Sequence, residues 1–146
     1  MAATKWQVYH NAKKYMVDGT IDLDTATIVM KILADSKAAA VSAFTRDTFA
    51  SLTHLTGFKS SATRALTSKS LRLSSNSILC FDAAPTIFTA SAGVSSIQYA
   101  VIGITGGKAI AWCKLTATPI SLAASNTLTI TPAATGFFTF SGGTTA

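Results

Sequence analysis

Apolar residues recur along this chain at two periods, and the change from one to the other organises it. Near the start, Trp6, Tyr9, Ala12 or Lys13, and Met16 return at helical spacing, Thr4 and Gln7 fit a capping box, and Gly19 supplies a stop. The pattern predicts a short helix over residues 4–17. A strand, with Val8 alternating against Tyr9, is the competing reading. From Thr20 the period becomes two. Ile21 and Leu23, then Ile28, Met30 and Ile32, alternate with Asp22, Asp24, Val29 and Lys31, which predicts half-buried strands. Residues 35–40 read as a polar, small-residue loop. Asp47 as N-cap, Phe49, Leu52 and Leu55 on one side and Gly57 at the end predict a second short helix over residues 47–56.

Beyond that point the chain reads as β throughout. Strands are predicted over residues 64–73, 77–82, 86–90, 94–104, 109–115, 126–131 and 137–141, punctuated by Gly93, Gly106-Gly107, Pro119 and Gly136. Residues 94–104 are apolar on both pleat faces, which marks a central strand. Leu128 and Ile130 among Thr127, Thr129 and Thr131 mark a strand with one wet or interfacial face. About eight strands without a long helix predict an all-β fold, a jelly-roll-like β-sandwich with one or two short helices, in a single domain over residues 1–146.

Composition narrows the function. Charged residues make up 12% of the 146, about half the usual share of roughly 25%, while hydrophobic residues make up 49%. With so few charges, Ser, Thr, Ala and apolar side chains must form much of the surface, and such surfaces are commonly covered by a partner. The net charge of +6 is spread along the chain with no run longer than Lys13-Lys14, so an acidic protein explains it at least as well as a polyanion. Nucleic acid is not expected. Neither a signal peptide nor a membrane-spanning apolar stretch is visible, and a protein made in the cytosol with no membrane partner is expected.

Enzymes that move protons or use metals need convergent carboxylates, His or Cys, and this chain has no Glu and no acidic residue after Asp82. Asp18, Asp22 and Asp24 cluster, and in a strand Asp22 and Asp24 would share a face. Their spacing nevertheless fails the loop that wraps Ca²⁺, so no metal is assigned. His10 and His54 lack an adjacent acid, and Cys80 and Cys113 sit among apolar residues as expected of core sulfur, with a disulfide between them left open. No catalytic residue and no cofactor is assigned, and an enzyme is not expected. Basic residues from Lys59 through Arg64 and Lys69 to Arg72 lack aromatic interleaving and read as a solvated strand face. Trp6, Tyr9, Lys13 and Lys14, by contrast, combine aromatic and basic side chains as protein-interface anchors do; the alternative is that Trp6 and Tyr9 pin the helix to its own sandwich.

Several segments resemble a known family. These are Trp6-Gln7-Val8-Tyr9, Lys14-Tyr15, Gly19-Thr20-Ile21-Asp22-Leu23, Phe88-Thr89-Ala90-Ser91, Asn126-Thr127-Leu128-Thr129-Ile130 and Gly136-Phe137-Phe138. In order and spacing they are similar to small virion proteins of tailed bacteriophages, the capsid decoration or cement proteins, with a departure between Ala38 and Ser75. The resemblance implies a β domain on the capsid exterior, made in the host cytoplasm, that bridges neighbouring major capsid protein subunits and forms homo-oligomers there. A sandwich-type binding module of a phage tail is the alternative. Its sugar platform could only be Tyr99, Gln98 and Trp112.

Overall fold

Residues 94–104 carry apolar side chains on both pleat faces, and in the computed structural model, which describes residues 5–73 and 78–140, they form the strand around which the largest sheet is built. In chain order the elements are β1 (Gln7–Val8), α1 (His10–Val17), β2 (Ile28–Ala34), a 3₁₀ turn (Asp35–Lys37), α2 (Ala38–Val41), β3 (Thr63–Ala65), β4 (Ser70–Leu73), β5 (Leu79–Asp82), β6 (Thr86–Thr89), β7 (Val94–Ile104), β8 (Ala109–Lys114), β9 (Ile120–Leu122), β10 (Thr127–Ile130) and β11 (Phe138–Phe140). The fold is all-β and sandwich-like.

One sheet runs β1-β8-β7-β2-β3, with β9 also paired to β7; β10 pairs β6, and β11-β5-β4 form a third sheet. Every named pairing is antiparallel. A single apolar cluster joins the three, with Met30, Ile102 and Ile110 from the large sheet, Phe88 from the pair and Phe81 and Phe138 from the small sheet. Its volume is filled partly by aromatic contacts, Phe58 on Phe88 at 5.3 Å and Phe81 on Phe138 at 5.3 Å.

Several expected elements take another form, each for a physical reason. The helix expected over residues 4–17 begins only at His10, because Gln7 and Val8 add instead to the edge of β8, opposite Trp112 and Ala111. Thr4 lies outside the described residues, and Gln7, being in a strand, cannot complete a capping box. The helix has Tyr9 as N-cap with no side-chain cap, and the His10 N–H donates to the Phe44 carbonyl at 3.0 Å. Ile21 and Leu23 are buried, but from a turn rather than a strand: the Asp22 Oδ1 accepts from the Asp24 and Thr25 N–H groups. The loop expected over residues 35–40 is instead the 3₁₀ turn and the start of α2.

No helix forms over residues 47–56. Phe49 and Leu52 are buried as the pattern requires, yet the Phe49 N–H bonds Gly107, the Leu55 N–H bonds Ile32, and the carbonyls of Phe49 and Leu52 accept from the Lys31 ammonium at 3.0 and 3.2 Å. A helix would need those carbonyls for its own ladder. Gly103 makes room for this arrangement, since a Cβ there would stand 2.5 Å from the Phe49 ring. The strand expected over residues 64–73 is two, β3 in the large sheet and β4 in the small one, with Leu66 buried between them. The other predicted strands stand within a residue or two of their expected limits. Ser77 and Ser141, where two of them were to begin and end, lie outside the described residues.

Candidate protein interface

The small sheet is apolar on one face. Cross-strand pairing sets Leu71, Phe81 and Phe138 in one row and Leu73, Leu79 and Phe140 in the next, so six apolar side chains share a surface. Phe81 and Phe138 enter the core; at the β4 end of the two rows the surface faces solvent, where Leu71 is 40% and Leu73 69% exposed. The C-terminal end of α1 closes over part of this surface and leaves a groove of about 490 Å³ lined by Met16, Val17, Ile21, Leu71, Leu79 and Phe140. Val17 is 90% exposed.

That groove continues along β11. Val17 and Phe140 also line a second hollow of about 330 Å³ with Val8, Lys13 and Phe138. Thr139 is shared between this hollow and a third of about 520 Å³ that reaches Lys5, Trp6 and Phe137. Together they form a trough along β11, with β1 and α1 as one wall. Helical geometry explains the wall: Lys13 and Val17 are four residues apart and project on the same side.

Of the four expected anchors, the structure brings Trp6 and Lys13 to this trough. Trp6 is half-buried and stands edge-on to Phe137, with ring centroids 4.9 Å apart. Lys13 is exposed and makes no side-chain hydrogen bond or ion pair with a described residue. Lys14 is exposed as well, but one position further round the helix, where it helps lower the Asp18 pKa. Tyr9 is no surface anchor. It is 1% exposed, its hydroxyl donates to the Val41 carbonyl at 2.6 Å, and burial pushes its ionisation upward, so it pins α1 to the core as the alternative reading held. The residues missed in sequence are Val17, Leu71 and Phe140; Leu71 and Phe140 share a surface only because β4 and β11 both pair with β5, and α1 brings Val17 to it.

The other chemical candidates dissolve into structure. Asp18 and Asp22 each accept from their own turn, Thr20 and Thr25 being the main hydrogen-bond donors that hold their carboxyls below the usual range. Among the described residues no group of three His, Cys, Asp or Glu side chains could hold a metal. Asp47, expected as an N-cap, instead pairs with Lys108 at 2.9 Å; the neighbouring Tyr15 hydroxyl and Lys108 keep it ionised. His10 packs on the Phe44 ring and the His54 Nδ1 lies 3.2 Å from the Leu55 carbonyl.

Cys80 and Cys113 are free and buried, and burial pushes the Cys113 thiol up to about 12. The basic stretch stays largely at the surface, with Lys59 and Arg72 exposed, but its side chains also hold the fold: Arg64 clips the carbonyls of Lys59, Ser61 and Ile87, Lys69 those of Asp24 and Ala26, and Arg72 pairs with Asp82. Nor do Tyr99, Gln98 and Trp112 make a sugar platform. Gln98 and Tyr99 are buried, and the Gln98 amide donates to the Ala117 carbonyl at 3.1 Å.

No helix among the described residues is long and apolar enough to cross a membrane. No known protein family, curated protein or solved structure matches this chain.

Proposed function

We propose that this chain is a structural virion protein that decorates and cements a bacteriophage capsid by bridging neighbouring major capsid protein subunits, as the resemblance of its segments implies. The observation that supports this reading best is the trough, an apolar surface left open beside Lys5 and Lys13. Arg64, Lys69, Arg72 and Lys108 are tied to carbonyls or carboxylates, while Lys13, on the trough's wall, has no such partner among the described residues. Exposed apolar area with unpaired charge at its rim is the make-up of an interface. Display of many copies on a shell makes modest affinity at each site sufficient.

The test is decoration of purified heads. Replacing Lys13 and Lys14 together with Ala should lower occupancy without lowering the melting temperature, because exposed lysines contribute little to a fold while interface charges govern association. Wild-type occupancy should also fall as salt is raised. Decoration by the double variant at wild-type occupancy across that salt range would count against the reading.

A further inference from the structure

Two strand edges border the trough. Among the described residues β11 pairs only with β5 and β1 only with β8, and no other backbone hydrogen bond reaches residues 138–140. In an antiparallel ladder alternate residues turn their N–H and C=O away from the partner, so a three-residue edge strand presents at least one such pair outward. Folded proteins commonly blunt such an edge with Lys, Pro or a bulge inside the strand. The strand β11 reads Phe-Thr-Phe and carries none of these side chains.

The rim adds charge of one sign. Lys5 and Lys13 line the two hollows along β11, and no acidic residue lines either. Asp22 stands only at the far end, beyond Phe140, with both carboxylate oxygens taken by its own turn. A second copy of this chain would bring another body of charge +6 to a basic wall, which electrostatics disfavours.

We infer that the trough takes an extended acidic segment of the partner, which adds as a strand to the free edge of β11, sets alternate apolar side chains among Val8, Val17 and Phe140, and turns carboxylates toward Lys13 and Lys5. This rests on the cement reading for the identity of the partner, but the binding mode follows from the edge, the apolar lining and the rim charge. Strand addition takes affinity from main-chain hydrogen bonds and specificity from alternate side chains.

The probe is a capped peptide of about six residues alternating Val and Asp, with two companions: the same peptide with Lys for Asp, and the acidic peptide N-methylated on alternate amides. Titration into the intact protein should show binding of the acidic peptide alone, protection of a β11 amide from hydrogen exchange, and affinity at least about tenfold lower for Lys13→Glu than for Lys14→Glu. Equal binding of the N-methylated or the Lys peptide, equal loss in the two variants, or no binding at about 1 mM peptide overturns the inference. So does a concentration-dependent dimer that protects β11 by itself, which would give the trough to a second copy. Heads decorated in a Lys13-dependent way by a protein that ignores the peptides would leave the cement reading standing and sink the strand mode. Peptide binding without head decoration would do the reverse.

Discussion

Lys31 is the residue where sequence pattern and structure pull hardest against each other. It occupies a polar position in a period-two pattern, yet it is only 8% exposed, with its ammonium against the carbonyls of Phe49 and Leu52 and 4.1 Å from the centre of the Phe49 ring. No carboxylate neutralises it among the described residues, so burial lowers its pKa. The sign follows directly. The folded protein gives up this proton more readily than the unfolded chain, unfolding takes up a proton in the window just below the ordinary lysine value, and stability rises with pH across that window. Comparison with Lys31→Met, which loses the same donors at every pH, isolates the effect. From about pH 7 to about pH 10 the melting temperature of the wild type should gain on that of the variant. A constant difference would mean that the ammonium is well solvated. The role of Lys31 was invisible in sequence because its partners are backbone carbonyls of another segment, which no residue pattern encodes.

At the level of elements, the small sheet depends on how the chain enters β11. Gly136 has φ +79°, and a Cβ there would stand 2.3 Å from the Phe81 carbonyl oxygen, the group that accepts from the Phe137 N–H at 2.8 Å. Gly106 has a similar φ of +69° with nothing near its missing Cβ, so it measures backbone strain alone. Gly106→Ala should cost about 1 kcal/mol in urea unfolding and Gly136→Ala about 2 kcal/mol or more, since the latter must also push β11 from β5. Equal costs would show that β11 yields without resistance. Elements with strong local signals were legible: β7 keeps its expected limits of residues 94–104, and β10 and β6 stand almost where alternation puts them. Those misread share another cause. Phe49 and Leu52, and Ile21 and Leu23, carry the right apolar residues and are buried, but distant segments decide what their backbones do, as β8 does for Gln7 and Val8, so burial was predictable and conformation was not. The trough was half legible for the same reason. Trp6 and Lys13 could be chosen from local chemistry, whereas Leu71, Leu79 and Phe140 become neighbours only through pairing with β5, and Val17 meets them only where α1 closes over that sheet.

For the whole molecule, the distribution of packing predicts which parts open first. One apolar cluster runs through all three sheets, which favours a cooperative global transition. Cys113 belongs to that cluster, and its buried thiol ionises only near 12. Cys80 is buried as completely, but it lies on the opposite face of the small sheet from Phe81, in a cross-strand row with Arg72 and Thr139, both exposed. Its neighbours on that face are surface side chains, Arg72 among them with its contact to Asp82 and the Ala134 carbonyl, so its cover lies outside the core cluster. Local openings need only lift that cover, whereas reaching Cys113 requires the core to part. Thiol labelling under native conditions, assigned by mass spectrometry of proteolytic fragments, should show Cys80 reacting first, at a rate that low denaturant barely changes. Cys113 should react more slowly, with a rate that climbs steeply with denaturant as global exposure demands. Should both thiols label together with the same steep dependence, the Cys80 face of the small sheet would be held as firmly as the core, and both cysteines would report the one global transition.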